Sequence, residues 1–287
     1  MNRSALNKYA QLLTDTVDIF SVLVDPAVAP APGSPAECEL RATREQPAHT
    51  GVWGESPVRT AYALAAMSYS AALDQGRAMA ALMTGGFTAV PVVVLARSLT
   101  EMTSQAWWLL DPGIGHIGRV RRLQALRYRS ADEGQRAAAA DGVPEDERYL
   151  YTETISQVGE YSRRLDLEAP SKDGRVYVCG SERLRSASRR VKYMFGEVDV
   201  AGVYNLYSAF SHGELFALWQ GFEKTTEGSQ HIHYRPAVNE ESFKGAVAVA
   251  SYALYAPAAR AVSLFGLDQG SLEEWIDEHD AMVHPDM

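Results

Sequence analysis

Residues 56–111 read SPVRTAYALAAMSYSAALDQGRAMAALMTGGFTAVPVVVLARSLTEMTSQAWWLLD, and this run decides the fold. Ser56-Pro57 has the form of a helix start: a capping residue, then a proline whose missing N–H costs nothing there. From Ser56 to about Met83 the chain is rich in Ala and Met, which suit close helix packing. Gly85-Gly86 breaks that helix. A second one starts between Thr88 and Pro91 and runs to Leu110, where Asp111-Pro112-Gly113 stops it.

The same pattern continues outward. After a short loop carrying His116, a helix is predicted from about Gly118 to Ala140. Pro144 opens another that reaches about Leu167. Arg175-Val176-Tyr177-Val178-Cys179 is short, β-branched and bounded by glycines, so it is a strand or an extended connector. Ser181-Glu182 is expected to open a helix to Phe195, and Val198 to Phe222 forms the next. His231-Ile232-His233-Tyr234 is strand-like. A helix from the Asn239 to Ser242 region runs to about Phe265, and Ser271 begins a short final one. Upstream, Leu6, Leu13, Val17, Phe20 and Val24 form an apolar stripe within residues 4–24. Six of the 13 prolines lie between Pro26 and Pro57, which predicts an extended or looped linker. The sum is an all-α fold, a multi-helix bundle of about eight or nine helices with minimal short strand. Residues 1–55 form an N-terminal helix plus a Pro-rich linker, and 56–287 a helical bundle domain.

Composition sets the class. The chain has 287 residues, 46% hydrophobic and 22% charged, which describes a folded chain with a sizeable core rather than a disordered one. The net charge of −9 is the wrong sign for a protein whose main partner is duplex nucleic acid. Arg supplies 22 of the 27 basic residues beside 41 Ala, as a GC-rich coding sequence would. Cys38 and Cys179, far apart, make neither a disulfide framework nor a zinc motif. The N-terminus lacks a signal peptide's apolar stretch. Phe87–Ala96 and Ala246–Ala259 fall short of the ~18 apolar residues of a membrane span. A soluble cytoplasmic protein that does not enter a membrane is expected. There is no Walker loop and no GxGxxG, which disfavours nucleotide hydrolysis and nicotinamide chemistry, and no cofactor is implied.

Four constellations carry candidate chemistry. Arg97 and Glu101 share one face of a strongly apolar helix at i, i+4. They are either a buried ion pair or the wall of a pocket with Glu101 as acid, base or ligand. Arg119 and Arg122 share a face on the next helix, and Arg183, Arg185, Arg189, Arg190 and Lys192 cluster later. Such groups hold phosphate, or form a solvated face, or pair with acids elsewhere. In Val203–Gly221, apolar nearly all round, Ser208 and His212 are i, i+4. His212 is either a satisfied core histidine or a proton carrier. His231 and His233 on a strand point the same way, but neither HExxH nor a paired ExxH motif accompanies them, so no metal is expected.

Arg97-x-x-x-Glu101, the Trp108–Pro112 phrase, Arg119–Arg122 and the Tyr204-x-x-x-Ser208-x-x-x-His212-Gly213 phrase together resemble a group of actinobacterial helical proteins of unknown function. That group is distantly similar to HEPN-type domains, small helical bundles that are often dimeric. The resemblance implies the fold and a homodimer. Many HEPN domains cleave RNA with an Arg and a His separated by four to six intervening residues. Here Tyr207, Leu206 and Asn205 stand at those distances from His212, so the resemblance implies fold more than activity.

The leading expectation is a buried polar pocket with Glu101, Ser208 and His212 as catalytic candidates. Arg97, Arg119, Arg122, Tyr204 and Trp108 are the binding candidates around it. The pocket binds a small molecule or performs acid–base chemistry, with His212 carrying the proton and Glu101 orienting it. The alternatives are a HEPN-like RNA-binding or RNA-cleaving module and a non-catalytic interaction protein.

Overall fold

The computed structural model describes residues 3–21, 29–86, 89–196, 201–212, 214, 222–227, 231–236 and 240–283. Among them are ten α-helices: α1 (Arg3–Ser21), α2 (Pro35–Glu45), α3 (Ser56–Thr84), α4 (Ala89–Leu109), α5 (Gly115–Ala140), α6 (Tyr149–Arg164), α7 (Ala187–Phe195), α8 (Ala201–Ser211), α9 (Glu240–Phe265) and α10 (Gly270–Val283). Strands are short and antiparallel: β1 (Pro47–Ala48) with β2 (Gly51–Val52), the order β3 (Ser171–Asp173), β4 (Val176–Cys179), β5 (Glu182–Leu184), and β6 (Phe222–Glu227) with β7 (His231–Pro236). The fold is the expected all-α bundle.

α4 is the hub. It buries Val92, Val93, Ala96, Leu99, Thr103 and Ala106 and packs against α3, α9, α7 and α8, while α1 lies across α3 and α9. A helix apolar on nearly every side can be satisfied only by neighbours all round. Small residues allow the close approach: a Cβ on Gly76 of α3 would stand 2.7 Å from the Val17 Cγ2 of α1. Inside α9, Pro257 lacks the N–H for the turn before it. The Tyr69 hydroxyl donates to the Leu254 carbonyl in that turn at 2.8 Å. Ser242–Phe265 within α9 is long and apolar enough to cross a membrane, where the sequence suggested a shorter segment, and most of it is buried in the bundle.

Several local expectations are corrected. The Pro-rich stretch is not all loop. Ser34 accepts from the Glu37 N–H at 3.3 Å, Pro35 follows it in the first turn, and α2 forms. Residues of α1 and α2 belong to the same core as the bundle: Leu13, Val17, Phe20 and Ala36 are fully buried. At α3 the cap position falls to Glu55, not Ser56, and its carboxylate binds Arg44 and Arg59 instead of capping. His116 lies in the first turn of α5 rather than in a loop. The helix expected from Ser181 gives way to a hairpin. Gly180, at φ 58°, takes the positive-φ first position of a two-residue loop between Cys179 and Glu182. α7 then starts behind Ser186, which accepts from the Arg189 N–H. The helix expected over Val198–Phe222 ends at Ser211, and Phe222 begins β6, which pairs with β7.

The C-terminus of α4 shows how the arginines are used. A helix end leaves carbonyls without partners and a partial negative charge. Here guanidinium groups from two other helices fill the gap. Arg260 donates to the Trp107 carbonyl (2.7 Å), Arg122 to Trp108, and Arg119 to Leu109 and Asp111 (2.9 Å to Asp111). Arg119 is fully buried and also binds Glu39 of α2 through two 2.7 Å contacts. Tyr62 donates to the same carboxylate at 2.8 Å. Removing one partner of such a pair strands a buried charge, at about 3–5 kcal/mol. Glu39→Ala is therefore expected to lose that much in urea unfolding, and Arg44→Ala, which breaks the exposed pair with Glu55, about 1 kcal/mol or less. Equal losses would refute the assignment.

Candidate functional site

On α4, Arg97 and Glu101 stand one turn apart and pair at 3.0 Å. α8 packs on this stretch and brings two more groups. The Tyr204 hydroxyl donates to the same Glu101 oxygen at 2.8 Å. Arg97 Nη1 lies 3.4 Å from His212 Nε2. Burial raises the Tyr204 phenol, and its hydrogen bond to Glu101 adds to that, so it remains a donor.

Arg97, Glu101, Tyr204 and His212, separated by over a hundred positions, thus form one cluster. Its details differ from expectation. His212 lies in the turn after α8 and is exposed, not a core histidine in mid-helix. It reaches Glu101 only through Arg97. Ser208 is half-buried, and no hydrogen bond joins its hydroxyl to His212 or Glu101; its carbonyl accepts the His212 N–H at 3.1 Å. Arg119, Arg122 and Trp108 are two turns further along, in the arrangement that closes α4. Arg122 lies 4.8 Å over the Trp108 ring and binds Glu182 at 2.6 Å. Gly213 and residues 215–221 lie outside the described residues, as do the side chains of His231 and His233.

Glu101 also faces a cleft of about 490 Å³ between α3, α4, α5 and α7, within the usual range for a small-molecule site. Ser68, Ser98, Gln105, Arg129 and Arg190 line it with Glu101. Gln105 donates to the Ser68 hydroxyl at 2.9 Å, and Gln75 to Ser98 at 3.0 Å. Sequence spacing did not single out this wall, because it is assembled from four helices. One signal was present: α7 buries Arg190 on the stripe it shares with Val191, Met194 and Phe195, so a charge occupies a core position.

The basic cluster of α5 is largely spent on internal pairs, and of the later cluster Arg183 is paired. Arg121 binds Glu168 at 2.7 Å, Arg129 binds Glu133 at 2.9 Å, and Arg183 binds Asp173 at 2.6 Å. Among the described residues, no group of three His, Cys, Asp or Glu side chains is placed to hold a metal ion. Cys179 is buried, and desolvation pushes its thiol up to about 12. No protein-family model, curated protein or solved structure matches this chain.

The cluster predicts a contrast. Tyr204→Phe deletes a hydrogen bond to a carboxylate and should cost about 1.5–3 kcal/mol. Ser208→Ala should stay within about 0.5 kcal/mol of wild type. Chemical denaturation of both variants checks this, and equal effects would place Ser208 in the cluster after all.

Proposed function

We propose that the protein binds a small polar molecule in the α3–α4–α5–α7 cleft, with Glu101 as an anchor. One observation carries this. Glu101 is half-buried, lines the cleft, and is held by Arg97 and Tyr204 from behind. A carboxylate whose orientation is fixed by two donors and whose surface opens on a cavity is prepared to meet a ligand.

Binding is favoured over acid–base catalysis by where His212 sits. It is exposed and its Nε2 lies 3.4 Å from the Arg97 guanidinium, which stands between it and Glu101. Glu101, which was expected to orient the imidazole, spends one oxygen on Arg97 and Tyr204 instead.

The test is a thermal-shift screen of the full-length protein against a panel of amino acids, dicarboxylates, sugar phosphates and polyamines. At a hundredfold excess over Kd, a one-site ligand stabilises by about 2.7 kcal/mol. At ~2–4 °C per kcal/mol, the midpoint should rise by several degrees in the wild type and not in Glu101→Gln. A panel without a hit, or a hit indifferent to Glu101→Gln, would overturn the assignment.

A further inference from the structure

The cleft contains a charge that the protein does not answer. Arg190 is 4% exposed. Its Nη1 donates to the Arg185 carbonyl at 2.7 Å, and its Nε is buried without a partner. Among the described residues no carboxylate lies within ion-pair distance of it. Arg119, just as buried, is satisfied on all sides; Arg190 is not. Burial and the like charge of Arg129 lower its pKa to about 10, against the pull of Glu101, Tyr204 and Glu133, which act on it from beyond ion-pair distance, so it is still a cation at neutral pH.

The other charges of the cleft are already taken. Its wall holds Glu101 and Glu133 against Arg127, Arg129 and Arg190. Glu101 pairs with Arg97 and Glu133 with Arg129. Arg127 has no ion pair among the described residues and lies 6.0 Å over the Tyr161 ring. Two of the guanidinium groups that line the cleft are left over, Arg127 exposed on α5 and Arg190 buried on α7. A buried charge without a counter-charge is costly, and a guanidinium presents paired donors that match a planar or tetrahedral oxyanion.

We infer that the cleft receives an anionic group, a carboxylate or a phosphate, with Arg190 as its main partner and Arg127 at the rim. This rests on the small-molecule reading of the same cleft and names the ligand's chemical class. Ser68 and Ser98 are hydroxyls on the opposite side, and Glu101 is the acceptor for a hydroxyl or ammonium elsewhere on the ligand.

The experiment titrates full-length protein with inorganic phosphate and, separately, with succinate, at ionic strength matched by chloride. It reads the melting midpoint and the calorimetric Kd. A saturable rise with one of the two anions beyond chloride is expected, and which anion gives it tells phosphate from carboxylate. Arg190→Met should lose the rise, yet melt no lower than wild type in chloride, because it removes an unpaired buried cation. Arg190→Lys keeps the charge without the fork and should weaken binding about tenfold to a hundredfold, the worth of a charge-assisted hydrogen bond. It decides the matter if the Met variant does not fold. No anion-specific rise in the wild type, or a rise and Kd unchanged in Arg190→Lys, overturns the inference. Glu101→Gln leaves Arg190 in place. A missing anion response with Glu101-dependent binding intact therefore rejects the anion alone, and loss of both rejects the cleft.

Discussion

The structure depends on how α4 ends. A helix that serves as the hub of a bundle must stop inside the protein, where water cannot satisfy its last carbonyls. Arg260, Arg122 and Arg119 supply the missing donors, and Glu39 fixes Arg119. One motif thereby ties α2, α4, α5 and α9 together, and Tyr62 adds α3. The position of α4 in turn sets where Arg97 and Glu101 stand. Fixing one end of the hub keeps the Arg97–Glu101 face at its middle in place.

Arginine appears in this protein in two buried states. At the end of α4 each guanidinium meets carbonyls, a carboxylate or an indole face; Arg260 lies 3.5 Å from the Trp107 ring centroid. In the cleft, Arg190 has a single backbone hydrogen bond, a like charge near it, and carboxylates only beyond ion-pair distance among the described residues. Folding energy accounts for the first state, since each donor answers an acceptor that burial would otherwise strand. It does not account for the second. The contrast between two buried arginines is what the proposal of an anionic ligand rests on.

Local patterns were legible where a single element decides the outcome. α3, the Gly85-Gly86 break, α4 and its stop at Asp111-Pro112 follow from composition and turn chemistry. So does the Arg97–Glu101 pair, because helical spacing alone puts them on one face. Where two principles compete, the outcome was not legible. Proline density pointed to a loop over residues 26–57, but Ser34-Pro35 is also a helix start, and the buried face of α2 decided for helix. Ser181-Glu182 resembles a cap, yet the positive φ of Gly180 makes the turn first. His212 read as either a core histidine or a buried proton carrier on the premise that its helix continued; with α8 ending at Ser211 the imidazole emerges at the surface. The Arg119–Arg122 spacing was visible as an i, i+3 face, but its partners are backbone carbonyls, which carry no sequence signal, and carboxylates far off in sequence, Glu39 and Glu182. The cleft was invisible because it is a gap between four helices that touch elsewhere, and no single stretch of sequence encodes it.

The two thiols have a practical meaning beyond packing. Cys38 is exposed beside Arg41 on α2, while Cys179 lies within β4 with its sulfur 3.3 Å from the Glu168 carbonyl. Alkylation needs the thiolate, so a maleimide reacts with them on different clocks. Cys38 sets the pace of an accessible thiol. Cys179 reacts only when the small sheet lifts from α5 or the whole chain opens. The native protein thus carries its own chronometer of opening, with an internal reference, and needs no engineered probe.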